Sequence, residues 1–310
     1  MKPHALVLGA NGYLGRHIAL ALVEQGYQVS LAGRATTTSL NLGEYRSIDV
    51  RERQSLEPLL ATPDYVFVCA GLSGTQVGFE RYQDFIDTNE IGLLNILEIV
   101  RQRPTPAKII FLSTRLVYRG ASEPLPEAAP KEFKTVYALT KYVGEQYLQM
   151  YQAMFGLPYS VFRIGVPYGN RFGTSQSYGT FSHFITPASA GRAITLFGDG
   201  QQRRSIIHVE DLAQWLVQAT SHPATTGQVF NISGPDALSI REIAAAVAQA
   251  YGVEVTHVPW PPLAAMLESG DTVLDETALQ EHVPYQYRWR FAAWIAAEKA
   301  QRSASSVSIV

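Results

Sequence analysis

The chain has 310 residues, 46% of them hydrophobic, and 25 Lys and Arg against 27 Asp and Glu leave a net charge of −2. Near-neutrality excludes a surface built chiefly to neutralise nucleic-acid phosphates, and no run approaches the roughly eighteen uninterrupted apolar residues of a membrane span. Cys69 is the single cysteine, which excludes an internal disulfide framework or multi-cysteine zinc site, and the seven histidines do not fall at metal-ligand spacing. No metal, nucleic acid or membrane partner is therefore expected, and the cytoplasm is the expected compartment.

The opening HALVLG reads as a buried strand, its apolar run too short for a secretory leader. YLGRHIALALVEQG follows with Leu14, Ile18, Leu22 and Val23 at helical spacing. YQVSLAG is a second strand, 45–50 a third, and DYVFVCA over 64–70 a fourth, apolar on both faces as buried parallel strands are. Residues 79–100 are expected as one long helix, AKIIFLS as a strand, 135–155 as a helix and LPYSVFRI as a further strand. This alternation, with no hairpin signals between strands, predicts a doubly wound parallel α/β sheet of the Rossmann kind. Between 166 and 203 the pattern loosens to turns, polar stretches and one helix over 181–190. Strand and helix return in RRSIIHVEDLAQWLVQAT, with Glu210 and Asp211 at a positive helix end. A helix over 240–251 starts after Ser239 with Glu242 at capping-box spacing. The expected division is a dinucleotide-binding domain of residues 1–165 and 204–231, a smaller interleaved α/β substrate lobe of 166–203 and 232–300, and a flexible tail, 301–310.

Gly9, Gly12 and Gly15 form GxxGxxG between the first strand and the first helix. There a sharp turn, a close backbone approach and the helix N-terminus suit a dinucleotide pyrophosphate. The expected cofactor contacts are Gly9, Asn11, Gly12, Tyr13, Leu14 and Gly15, then Asp49 and Val50 after the third strand and Ala70 and Gly71 after the fourth. Asp49 can accept from an adenine amino group or cap the helix beginning near Arg51. The second strand ends LAGRATTT, without the Asp or Glu that usually holds the adenosine ribose in an NAD site. Arg34 at that point suits a 2′-phosphate, so NADP(H) is favoured over NAD(H). Tyr137 and Lys141 stand in YALTK at i and i+4 on one helix face, where an ammonium can lower the phenol's pKa and hold a ribose while the tyrosine works as acid or base. Ser113 and Thr114 in LST lie at the carboxyl end of the sheet, where a hydroxyl can orient the same oxygen.

Glycine loop, hydroxyl and YxxxK together resemble the extended short-chain dehydrogenase/reductase superfamily, the NAD(P)-dependent nucleotide-sugar epimerases, dehydratases and ketoreductases. The resemblance spans about residues 6–231. Aligned on Val117 and Tyr118, FLSTRLVYRG implies Thr114 as the catalytic hydroxyl beside Tyr137 and Lys141; FRIGVPYGN resembles a segment that usually ends NPYG, with Val166 in place of the asparagine. FGDGQQRRSIIHVEDLA implies that Arg204 clamps a nucleotide-sugar diphosphate, with Ser73 and Thr114 also toward substrate. An ion pair is the other role open to Arg204. Arg115 and Leu116 stand where the family's dehydratases carry an acid pair, which argues against dehydration. The expectation is an NADP(H)-dependent reduction of a nucleotide-linked keto-sugar, at C4. An NAD(P)-dependent C4 epimerase and a catalytically silent dinucleotide-binding regulator are the alternatives. The resemblance also implies a homodimer through the helix containing DTNEIGLLNILEIV. Substrate selectivity is expected in the loops 170–178 and 258–271.

Overall fold

The computed structural model describes residues 2–172 and 179–307, those after 300 as backbone alone. The first part runs β1 (His4–Leu8), α1 (Tyr13–Glu24), β2 (Gln28–Gly33), β3 (Glu44–Ser47), α2 (Arg53–Leu60), β4 (Tyr65–Val68), the short helices α3 (Val77–Glu80) and α4 (Tyr82–Ile86), then α5 (Gly92–Val100), β5 (Lys108–Thr114), α6 (Val136–Phe155) and β6 (Tyr159–Ile164). The second part runs β7 (Val166–Tyr168), α7 (Thr180–Ser189), β8 (Ile194–Phe197), β9 (Arg203–His208), α8 (Val209–Thr220), β10 (Gln228–Ile232), β11 (Asp236–Ser239), α9 (Ile240–Tyr251), β12 (Val255–Val258), α10 (Pro262–Leu267), α11 (Thr277–His282) and α12 (Phe291–Val307).

Seven strands form one sheet in the order β10-β6-β5-β4-β1-β2-β3, parallel at every pair. Helices cover both faces, which is why its central strands are apolar on both sides. One face packs Ile18, Leu22, Trp215 and Leu216 from α1 and α8; the other packs Leu97 and Val100 from α5 and Leu148 from α6. The strand order reverses between β1 and β4, so the crevice beyond their carboxyl ends is the topological switch point where such sheets take ligands. The smaller lobe has its own core around Tyr168, Phe181, Ile243 and Trp294. Its three-stranded sheet is ordered β11-β9-β7, and β12 pairs with β8.

Several sequence expectations change here. The expected helix over 79–100 breaks after α3 and again at a π-helical turn, Asp87–Ile91. That turn carries the polar Asn89 into the buried interior, a register a regular helix of this apolar stripe would not need. The third strand stops at Ser47, because past it the Asp49 carboxylate accepts from the Arg51 amide and turns the chain. Residues 166–203 contain two strands besides the expected helix. Both are short, and β7 carries Pro167, tolerated because β7 is an edge strand paired only with β9. β9 belongs to the lobe's sheet, so the chain rejoins the large sheet at β10 and not at residue 204. The tail expected to be loose continues α12 to Val307, a helix anchored by Phe291, Trp294 and Ile295 in the lobe core. The capping box at Ser239 and Glu242 is present, and α9 spans Ile240–Tyr251.

Candidate active site

The turn after β1 depends on close backbone approach. Gly9 sits at φ +85, and a side chain there would meet the Ala70 backbone at 2.5 Å. A Cβ on Gly15 would come within 2.2 Å of the Gly9 carbonyl oxygen, so α1 lies directly on the turn. The Gly9 and Ala10 amides both donate to the Ala32 carbonyl, at 2.8 and 3.0 Å. No side chain caps α1 at Gly12, and its first turn holds no acidic residue. An uncapped positive helix end facing a tight glycine turn fits a dinucleotide pyrophosphate.

The loop after β2 is clasped to this turn. Asn11 Nδ2 donates to the Thr37 carbonyl at 3.0 Å, and Thr38 Oγ1 donates to Asn11 Oδ1 at 2.5 Å. Arg34 is exposed beside Gly33, and no carboxylate occupies the end of β2. Asp49 is held by the Arg51 guanidinium, with Arg51 Nη2 at 2.6 Å, and this pairing keeps its carboxyl below the usual range. It binds the Arg51 backbone as well but does not cap α2, whose N-cap is Glu52. Tyr13 is buried and donates to the Gly169 carbonyl at 2.7 Å, and half-buried Leu14 packs on the core. Val50 is buried, and a Cβ on Gly92 would meet it at 2.7 Å. Ala70 is half-buried and Gly71 and Ser73 exposed, at the mouth of the crevice.

Asn89 is a site residue that sequence reasoning missed. Its Oδ1 accepts from the Leu72 amide at 2.7 Å, and its Nδ2 donates to the Leu72 carbonyl and to Thr140 Oγ1, each at 3.0 Å. It thereby fixes the 70–73 loop against α6. The available signal was an amide inside an otherwise apolar helical stripe.

Thr114 ends β5, its hydroxyl accepting from the Leu116 amide at 3.2 Å, and it lies close enough to the Tyr137 phenol in the first turn of α6 to bear on that phenol's titration. Thr135 caps that helix, accepting from the Ala138 amide at 3.0 Å. Lys141 follows one turn on, buried, with Nζ 4.4 Å from the centre of the Phe111 ring. Burial pushes the Tyr137 phenol up to about 12, opposed by the Thr114 hydroxyl and by the Arg115 guanidinium. Burial also pushes the Lys141 ammonium down to about 8, opposed by Cys69 and Glu145. The cation bearing on Tyr137 is thus Arg115, where the spacing of YALTK pointed to Lys141. Cys69 itself is held as a thiol, pushed up to about 12 by burial, and is no ready nucleophile.

Ser113 faces away from this group and donates to Glu145. Glu145 forms a buried bidentate pair with Arg163, at 3.0 and 2.6 Å, and Arg163 also donates to Tyr118, which donates to Asn231. The pair ties α6 to β6 directly beneath the Tyr137 and Lys141 turns.

A cleft of about 210 Å³ in the smaller lobe is lined by Thr180, His183, Phe197, Arg204 and Trp260 among others, with Arg115 reaching it from the end of β5. Arg204 is buried there, but its guanidinium is occupied. Nη1 donates to the Arg203 and Gly270 carbonyls at 2.9 and 2.5 Å, and Nη2 pairs with Glu268. The ion pair that was open as its second role is therefore formed. Residues 173–178 of the expected specificity loop lie outside the described residues. A larger groove, about 500 Å³, lies between α9 and α12 under a largely apolar lining and far from Tyr137 in the chain's topology. Among the described residues no group of three or more His, Cys, Asp or Glu is placed to hold a metal, and no helix is long and apolar enough to cross a membrane.

This geometry agrees with what the chain is similar to. It is 28% identical over 275 residues, 84% of each chain, to a UDP-N-acetyl-alpha-D-glucosaminuronate decarboxylase of Bacillus cytotoxicus. It is 28% identical over 269 residues, 80% of this chain and 81% of the other, to a dTDP-4-dehydro-6-deoxy-D-allose reductase of a Streptomyces species. The fold matches the Thermus thermophilus UDP-glucose 4-epimerase in complex with NAD at a TM-score of 0.85, with 26% identity and 96% and 98% of the two chains covered. The sequence model of the NAD dependent epimerase/dehydratase family matches residues 5–233, and with the glycine turn, the helix carrying Tyr137 and Lys141 and the Rossmann sheet, the chain belongs to that family of NAD(P)-dependent enzymes acting on nucleotide sugars.

Proposed function

We propose that this enzyme reduces a nucleotide-diphosphate-linked keto-sugar, at C4, with NADP(H) as the hydride source. The observation that carries the reading is the end of β2, where exposed Arg34 replaces the ribose-binding carboxylate. An exposed guanidinium at that point favours a 2′-phosphate, and a cofactor used once and released suits a reductase. When bound, the cofactor supplies the hydride. The glycine turn with Asn11 and the α1 end holds its pyrophosphate, and Lys141 holds the nicotinamide ribose. Tyr137, protonated through the neutral range, gives its proton to the carbonyl oxygen while Thr114 fixes that oxygen. The large-sheet part binds cofactor and the smaller lobe binds the sugar nucleotide.

The second reading is a C4 epimerase with retained NAD, favoured by the structural match to an epimerase in complex with NAD. We further infer a cytoplasmic homodimer, in keeping with the lone cysteine and with the exposed apolar residues Phe79, Tyr82, Ile86, Leu139 and Met154 on α3, α4 and α6. The test is oxidation of NADPH and of NADH by wild type and Arg34→Ala with a nucleotide-linked 4-keto-sugar. The expected result is NADPH consumption by wild type, with the NADPH preference cut about tenfold in the variant. An unchanged preference removes the 2′-phosphate role. Interconversion of two sugars without net cofactor consumption selects the epimerase, and no turnover of either kind selects a silent protein.

A further inference from the structure

The cleft that Arg115 lines holds two guanidinium groups and one carboxylate among its lining residues, so it carries one excess positive charge. That charge resides on Arg115. Arg204 is neutralised by Glu268 and spends its Nη1 donors on the Arg203 and Gly270 carbonyls. Glu268 is committed in turn, accepting from the Gly270 amide at 2.9 Å besides its pair with Arg204. Among the described residues the Arg115 guanidinium has one hydrogen-bond partner, the Thr272 hydroxyl at 2.7 Å from Nη1, and no carboxylate at ion-pair distance. An arginine has five N–H donors in a rigid fork, so most of this one's face is open.

Its surroundings make that charge expensive to leave unmet. Burial, then the neighbouring Arg204, pushes Arg115 down to about 9 against the opposing pull of the Glu268 carboxylate, which Arg204 already holds, and the Arg115 charge bears in turn on the Tyr137 phenol. Arg115 also follows Thr114 directly in the chain. An anion that meets the Arg115 charge therefore lies within electrostatic reach of the oxygen Tyr137 is proposed to protonate. A diphosphate sits a whole sugar ring away from that oxygen in a C4 reaction, whereas a carboxylate on the adjacent ring carbon reaches both groups together.

We propose that Arg115 is a specificity residue that binds a carboxylate on the sugar ring itself, so that the substrate is a nucleotide-linked uronic acid or its keto form. This rests on the reading of the chain as a nucleotide-sugar enzyme and not on its redox direction. A planar fork matches a carboxylate through two charge-assisted hydrogen bonds, which a neutral hydroxymethyl group cannot replace.

The experiment is calorimetric titration of wild type, Arg115→Gln and Arg115→Lys, loaded with oxidised cofactor, with UDP-glucose and UDP-glucuronate, which differ only at C6. Wild type is expected to bind the uronate about tenfold to a hundredfold more tightly. Arg115→Gln should lose that preference, binding the two sugar nucleotides about equally, and Arg115→Lys should keep part of it. Equal binding of the two sugars by wild type, or an undiminished preference in Arg115→Gln, overturns the proposal. Binding of neither sugar nucleotide by wild type removes the nucleotide-sugar reading and this proposal with it.

Discussion

Lys141 shows how a single residue's environment sets its working range. Burial holds its ammonium down to about 8, so above that pH the free protein carries it neutral. A ligand that needs the charged form must then bind together with a proton, and affinity falls as pH rises. The dissociation constant for the cofactor is expected to rise roughly tenfold between pH 7 and 9.5, while Lys141→Arg, charged throughout, stays flat. Titration calorimetry across that range checks this, and an equal fall in the arginine variant would assign the effect elsewhere. Tyr137, Lys141 and Thr114 were legible in the sequence because their spacing is local: a strand end, a helix start and one helical turn. Asn89 and Arg115 were not. One looked like a polar interruption of an apolar stripe and the other served only to argue against dehydration, and only packing against residues far along the chain gives them partners.

At the scale of elements, the catalytic helix is held by charge as well as by apolar packing. Glu145 on α6 is fully buried and meets Arg163 on β6, with Ser113 of β5 donating to the same carboxylate. Removing one partner of such a pair strands the other charge out of water. Glu145→Ala is expected to cost about 3–5 kcal/mol in urea denaturation, and a loss below about 1 kcal/mol would show that Arg163 finds water or another partner. The neighbouring elements show where pattern reading works and where it stops. The 240–251 helix with its capping box was readable because cap and apolar stripe are local in sequence. The π-helical turn at Asp87–Ile91 and the three- and four-residue strands of the lobe were not, since so few residues establish no period.

For the whole molecule, the exposed apolar residues form the test of assembly. Tyr82 is 57% exposed and Met154 70%, with Phe79, Ile86 and Leu139 on the same group of helices. Large exposed apolar side chains gathered on adjacent elements mark an interaction surface. Sedimentation velocity should find wild type a dimer at micromolar concentration and Tyr82→Glu with Met154→Glu a folded monomer. A monomeric wild type would end the dimer proposal.

The sequence by itself determined the α/β class, the glycine turn, the candidate group of Thr114, Tyr137 and Lys141, and the absence of a carboxylate after β2. Each is written in short-range pattern, where apolar periodicity and backbone sterics act within a few residues. The tertiary structure alone decided that Arg204 is paired with Glu268, that Arg115 bonds Thr272 and has no carboxylate at ion-pair distance among the described residues, and that β9 joins the lobe rather than the large sheet. Charge neutralisation and strand pairing depend on which distant residues meet. Glu268 lies 64 positions from Arg204 and Thr272 lies 157 from Arg115, separations across which sequence spacing carries no geometric information.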